Sequence, residues 1–127
     1  MKMLLALLLA GASATAPTPP IDYLITAAAS DFHAHPVANS VRFRNVHVGH
    51  VANGEGTNQY MLCGEFQPVE KKGGAGWTPF ATIKTSRYEQ WLGDQAATLC
   101  QRPSITWDGH EDLSPMLQRR IDSSQKG

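Results

Sequence analysis

The chain has 127 residues, of which 42% are hydrophobic, and this composition suits one globular domain with its own core. Eleven Lys and Arg residues balance eleven Asp and Glu residues, so the formal net charge is zero at pH 7. A neutral chain lacks the basic surface that binds nucleic acid or an anionic membrane, and the composition argues against both partners.

The N-terminus has the three parts of a secretory signal peptide. Lys2 supplies a positive charge, residues 4–12 form an apolar run too short to span a bilayer, and small residues follow. We expect cleavage after Ala14, so that the signal peptide is 1–14, because the alternative cleavage after Ala16 would leave Pro17 as the first residue. The mature protein is therefore predicted to be periplasmic or secreted, with no membrane anchor after signal removal.

The remaining chain divides into a short tether, one domain and a tail. Residues 15–20 are rich in proline and predict an extended tether of polyproline character. Residues 21–122 have the length of a single domain. Residues 123–127 are polar and predict a disordered tail.

The domain alternates between segments with helical and strand-like spacing of apolar residues. In chain order we expect a helix at 22–32 with Asp22 as its N-cap, strands at 41–50, 59–67 and 77–85, helices at 87–92 and 95–101, a short strand at 104–107 and a helix at 114–121. This pattern predicts an α+β fold, in which N-terminal and C-terminal helices pack on a small antiparallel sheet of three to four strands.

The first two strands are predicted to form a hairpin through the turn residues at 53–56. Strict alternation on the first strand places Arg44 and Val46 on one face, and Phe43 and His47 on the other. The second strand carries apolar residues on both faces, which indicates a central strand that is covered on both sides.

Three segments in the middle of the chain resemble a group of small exported proteobacterial proteins of uncharacterised function. They are F-R-N-V at 43–46, C-G-E at 63–65 and the glycine-rich G-G-A-G-W-T-P-F at 73–80. The chain departs from the group at Gln67, where the group has asparagine, and in the glycine segment, which lacks one residue and a tyrosine. The resemblance implies a shared compartment and fold, and it implies no activity.

The two cysteines of the mature chain are Cys63 and Cys100. Their spacing differs from the C-x-x-C spacing of a redox pair. In another alternative, one cysteine is a catalytic nucleophile and the other thiol has no role in catalysis. Export to an oxidising compartment favours a structural disulfide. In the chain-entropy model this bond would stabilise the domain by about 4 kcal/mol.

Five histidines raise the possibility of a metal site: His33, His35, His47, His50 and His110. The first two lie at a helix end, where an imidazole complements the helix dipole without a metal. His47 and His50 are expected on opposite faces of a strand and cannot share an ion. The pattern lacks a closed ligand set, so we predict no metal and no other cofactor.

The sequence contains no recognised catalytic motif. The glycines at 73–76 do not form a phosphate-binding loop, and a G-x-S-x-G nucleophile turn is absent from the sequence. Glu65 is the carboxylate that strand alternation places on the same face as Cys63. We expect it to form a structural ion pair with Arg44 of the neighbouring strand, and no catalytic residue is predicted.

An aromatic surface is the predicted binding site, and it comprises Trp77, Phe80 and Tyr88. The competing interpretation is that these rings fill the core. The favoured function is a non-catalytic exported domain that binds an envelope protein or a cell-wall component. A histidine-based metal-binding protein and a small hydrolase with an unrecognised site are the alternatives, and a convergent polar cleft would favour the hydrolase.

Overall fold

The computed structural model describes residues 19–36, 40–54, 56–69 and 76–126. Its elements, in chain order, are α1 (Ile21–Ala34), β1 (Val41–Ala52), β2 (Asn58–Pro68), β3 (Thr78–Lys84), β4 (Tyr88–Leu92), α2 (Asp94–Cys100), β5 (Thr106–Trp107) and α3 (Ser114–Lys126). The five strands form one antiparallel sheet in the order β4-β3-β2-β1-β5. The α+β class is confirmed, and the predicted strand count of three to four is wrong, because the described sheet has five.

The additional strand is β4, where the sequence predicts a helix at 87–92. Its apolar residues are few and compatible with either period, so the pattern alone cannot distinguish a helix from a strand. In the structure, Thr85 N–H donates to the Arg87 carbonyl, which closes a tight turn and folds β4 back on β3. Hairpin pairing with an existing sheet therefore overrides local propensity.

The face assignment predicted for β1 is wrong beyond Arg44, because the strand contains a bulge. The register shifts between Arg44 and His47, so Asn45 and Val46 together oppose a single residue of β2. Asn45 has a φ of 55°, a left-handed conformation that asparagine tolerates better than most residues. The extra residue turns Val46 to the same face as Phe43, opposite to that of Arg44.

Helices α1 and α3 cover one side of the sheet, which we call the helix face. Its core contains four phenylalanine rings in edge-to-face contact, with centroids 5.2–5.8 Å apart for the closest pairs. The rings belong to Phe32, Phe43, Phe66 and Phe80. Gly64 lies beneath them, and a methyl group built on it would lie 2.7 Å from Val46 Cγ2, so this close packing requires glycine.

Helix α2 covers part of the opposite side, which we call the disulfide face. A second and smaller core lies between α2 and the sheet. It is formed by Met61, Cys63, Ala81, Ile83, Ala96, Leu99 and Ile105. Strand β2 is therefore central and covered on both faces, as its apolar pattern predicts. The predicted disulfide is present: Cys63 and Cys100 are bonded, with their Cα atoms 6.2 Å apart, and the bond attaches α2 to β2.

The ends of the chain differ from the prediction in detail. Helix α1 starts after Pro20, whose carbonyl accepts from Leu24 N–H, and Asp22 lies in its first turn instead of acting as the N-cap. Helix α3 extends to Lys126 and includes most of the predicted tail. The predicted signal peptide and the tether up to residue 18 lie outside the described residues. Among the residues that the structure describes, we find no helix with the length and apolarity to cross a membrane.

Candidate functional site

An open groove lies on the disulfide face, beside α2 and above β1 and β2. Its volume is about 560 Å³, which is within the range of sites that hold small ligands. The side chains and backbone that line it come from five parts of the fold: Asn45 and His47 on β1, Cys63, Gly64 and Glu65 on β2, Pro79 on β3, Ala97, Cys100 and Gln101 at α2, and Trp107, Gly109 and His110 at and after β5.

The disulfide and the central strand form the base of the groove. Cys63 is buried on β2, and Cys100 is half-buried at the end of α2. The backbone of β2 is hydrogen-bonded to β1 on one side and β3 on the other, so the sheet supports the groove on paired strands. The base therefore lies on strands whose backbone groups are paired within the sheet.

Trp107 occupies one end of the groove, on the edge strand β5. It lies opposite Gly49 of β1, and a methyl group built on Gly49 would lie 2.8 Å from Cε3 of the indole. The glycine thus allows the ring to rest against the strand backbone. The residue stays 41% exposed and lines the groove, so part of the indole is available to a ligand.

A polar cluster occupies the other end of the groove. Arg44 Nε donates to Glu65 Oε1 over 2.7 Å, so the structure contains the ion pair that was expected from the sequence. Asn45 Nδ2 donates to the same oxygen over 3.3 Å. The Arg44 guanidinium carbon lies 4.3 Å from the centroid of a Trp77 ring, which places the indole beside this cluster.

The β1 bulge brings Arg44 and Asn45 to this cluster together. A regular strand would direct neighbouring residues to opposite faces, whereas the bulge allows both side chains to reach Glu65. The backbone N–H groups of Asn45 and Val46 donate to the Asp112 carboxylate over 3.2 and 3.0 Å. The bulge is therefore held from outside the sheet by the segment that precedes α3.

The Asp112 carboxylate also accepts from the backbone N–H and the hydroxyl of Ser114, over 2.9 and 2.5 Å. Partial burial acts to raise the pKa of this carboxyl. The hydrogen bonds from Ser114, Val46 and Asn45 outweigh that effect, and the pKa of Asp112 lies below its ordinary value of 3.8. The carboxylate thus connects the start of α3 to the edge of the groove in its charged form.

Several polar groups of the groove have no protein partner in the described part of the chain. The side chains of half-buried His47 and of exposed His110 and Gln101 make no hydrogen bond to it, and Glu65 Oε2 accepts none from it. His50 differs, because it lies on the opposite face of β1 and its Nδ1 is 2.9 Å from both Asp108 oxygens. The opposite orientation of His47 and His50 agrees with the prediction from strand geometry.

The three residues predicted to form one binding surface lie in three different places. Trp77 is half-buried beside the Arg44 and Glu65 pair on the disulfide face. Phe80 is wholly buried at the centre of the phenylalanine cluster, as the competing interpretation proposed. Tyr88 packs on the helix face, beside α1. These rings therefore do not form one surface, because Phe80 and Tyr88 pack on the helix face and Trp77 lies on the other side of the sheet.

The main residues of the groove were not predicted as a site from the sequence. Asn45, His47, Gln101, Trp107 and His110 meet only because β1, α2 and the segment after β5 converge on one face. Gly49 opposite Trp107 is a signal of close approach, but the pairing of these strands is not visible in the sequence. Within residues 19–36, 40–54, 56–69 and 76–126, groups of three or more His, Cys, Asp and Glu residues arranged to hold a metal are absent.

Comparisons of the chain with models of protein families, with curated proteins and with solved structures find no match.

Proposed function

We propose that this protein is a non-catalytic exported binding domain, and that its ligand, an envelope or cell-wall component, occupies the groove on the disulfide face. The observation that carries this proposal is the set of polar groups that line a cavity of about 560 Å³ without protein partners in the described chain. A ligand that hydrogen-bonds to His47 and Glu65 Oε2 would use groups that folding leaves available.

The rigidity of the groove supports the same proposal. Its base is a paired sheet, its α2 wall is attached by the disulfide, and the Asp112 carboxylate holds the β1 bulge. A preformed site loses little conformational freedom when a ligand binds, and this favours affinity. The fold therefore supplies the preorganisation that a binding domain needs.

Capture of envelope components tests this function. We expect the exported protein, crosslinked in its own cells, to retain an envelope component that the Trp107→Ala variant retains much less. Trp107 lines the groove and is 41% exposed, so its loss removes ligand contact more than core packing.

Tyr23→Ala is the matched control for this experiment. Tyr23 is an aromatic residue of α1 that is 68% exposed, and its helix covers the other side of the sheet. We expect this variant to retain the envelope component like the wild type. Equal retention by Trp107→Ala and wild type would contradict the assignment of the groove.

Export is the part of the proposal that the N-terminal residues support. Lys2 and the apolar run at 4–12 are features of a signal peptide, and a disulfide persists in oxidising compartments. The intact mass of the protein recovered outside the cytoplasm should correspond to a chain that begins at Thr15. A protein that retains residues 1–14 after fractionation would contradict the predicted cleavage.

A small hydrolase is the second candidate, because His47, Glu65 and His110 line the same groove. The Glu65 carboxylate already accepts from the Arg44 guanidinium and the Asn45 amide, and these contacts disfavour it as a catalytic group. A hydrolase requires that His47→Ala abolish turnover while leaving folding intact. If the wild type hydrolyses an envelope extract and this variant does not, the function is catalysis instead of binding alone.

A further inference from the structure

We infer that the groove binds a neutral oligosaccharide, and this inference rests on the binding function proposed above. Four features of the groove favour a sugar chain: its length, the chemistry at its two ends, its charge and the nature of its base. Each of these features distinguishes a sugar chain from other components of a cell envelope.

The lining of the groove reaches from Trp107 on β5 to Glu65 on β2. Trp107 lies opposite Gly49, which pairs with Met61, and Glu65 is four residues further along β2. At about 3.3 Å per residue, these positions are about 13 Å apart along the sheet. A chain of sugar rings can contact both ends at once, whereas a single compact metabolite contacts one.

The two ends provide the two kinds of contact that a sugar ring uses. The indole of Trp107 is a flat apolar surface on which the C–H face of a pyranose can stack. Asn45 and Glu65 provide an amide and a carboxylate side by side, which can donate to and accept from neighbouring hydroxyl groups. His47 and Gln101 add hydrogen-bonding groups between the ends.

The charge of the groove favours a neutral ligand. Glu65 is the single carboxylate among the described lining residues, and it is paired with Arg44 at 2.7 Å. Because the pair is closely neutralised, it attracts neither an anionic nor a cationic ligand strongly. An acidic polysaccharide is usually bound by lysine or arginine side chains, and the described lining contains neither.

The base of the groove disfavours an extended peptide. Peptides that bind to sheets usually add a strand at an edge, where backbone groups are unpaired. Here the base is the face of β1 and β2, which are hydrogen-bonded to each other along most of their length. A ligand on this face finds the backbones of these strands already paired, so side chains such as Asn45 and His47 supply hydrogen bonds to the hydroxyl groups of a sugar.

Titration of the exported protein with a defined saccharide tests the inference. The probe is the β-1,4-linked tetramer of N-acetylglucosamine, and the comparison ligands are an anionic tetramer of galacturonic acid and a sugar-free cell-wall stem peptide. We expect calorimetry to detect binding of the neutral tetramer alone. Trp107→Ala should weaken it by about tenfold or more, because the stacking surface is lost, and Tyr23→Ala should leave it unchanged.

Amide and indole NMR shifts of the wild type provide a measurement that does not depend on a variant. Saturable shifts at His47 and Trp107 on addition of the tetramer would support the inference. Absence of binding at millimolar tetramer, binding of the anionic tetramer or the peptide instead, or shifts confined to the helix face would overturn it.

The two proposals fail in distinguishable ways. Envelope capture that depends on Trp107, together with no binding of the neutral tetramer, overturns the sugar class and leaves the groove as the binding site. Envelope capture that is insensitive to Trp107→Ala, together with no tetramer binding, overturns both.

Discussion

The two faces of the sheet use their side chains for different purposes. On the helix face, α1 and α3 cover a continuous aromatic core in which Phe80 is wholly buried. On the disulfide face, α2 covers only part of the strands, and the uncovered part is a groove with polar walls. The helix face contains the larger core, and on the other face a covalent bond supports the groove that we propose as the binding site.

The same contrast appears within a single strand. His50 and His47 are three residues apart on β1 and lie on opposite faces. His50 is half-buried, and its ring is hydrogen-bonded to Asp108. The ring of His47 lines the groove and has no hydrogen-bond partner among the described residues. A satisfied imidazole stabilises the fold, and an unsatisfied one is available to a ligand. Five predictions test this difference between the two faces, in order of decreasing effect.

Phe80→Ala should cause the largest loss of stability. The ring has no exposed surface and contacts three other phenylalanine rings on the helix face. Its removal leaves a cavity, and we expect the free energy of unfolding to fall by about 3 to 5 kcal/mol. Urea denaturation with the disulfide intact measures this loss. A loss below about 1 kcal/mol would contradict the role of this face as the main core.

Removal of the disulfide should cause the next largest loss. The bond joins residues 37 positions apart in sequence, and in the chain-entropy model the double variant Cys63→Ser with Cys100→Ser is less stable by up to about 4 kcal/mol. Thermal unfolding should show a melting temperature lower by many degrees. Titration of the denatured, unreduced wild type should find no free thiol, and two reactive thiols would show that the bond does not form.

Asp112→Asn should have a smaller effect on the stability of the β1 bulge. The variant weakens the hydrogen bonds from Asn45, Val46 and Ser114, and we expect a loss of about 1 to 2 kcal/mol. The groove should lose ligand affinity as well, because the bulge positions Asn45 beside Glu65. Denaturation and ligand titration of the same variant measure both effects.

The same carboxylate makes a pH-dependent contribution to stability. Folding lowers the pKa of Asp112, so its contribution is fully present above the ordinary value of 3.8 and is lost as the pH falls through the lower pKa of the folded state. Wild type should therefore lose stability below about pH 4 more steeply than Asp112→Asn. Parallel slopes for the two proteins in this range would contradict the role assigned to the carboxylate.

Trp77→Ala should have the smallest effect on folding. The half-buried indole contacts the Arg44 guanidinium at the rim of the disulfide face, and such a contact contributes about 0.5 to 1 kcal/mol when exposed. We expect the melting temperature to change little and the affinity for the groove ligand to fall slightly. Destabilisation comparable to that of Phe80→Ala would show that Trp77 belongs to a core.

Much of the fold follows from local patterns in the chain. Proline and glycine positions mark most element boundaries, apolar residues on both faces identify β2 as central, and two cysteines in a chain predicted to be exported indicate their bond. The Arg44 and Glu65 pair also follows from the register of the first hairpin. These features are predictable because their causes lie within a strand, a helix or a hairpin.

The amino-acid sequence alone predicts the α+β class, the central strand and the covalent attachment of α2. It does not predict that 88–92 pairs as a strand, that Asn45 forms a bulge, or that Trp107 closes one end of a groove. The bulge and the position of the indole depend on partners distant in sequence, which are Asp112 and Gly49, and the strand depends on its pairing with β3, because its apolar residues are compatible with either period. Local spacing does not specify such partners, because long-range pairing is selected by the packing energy of the whole domain.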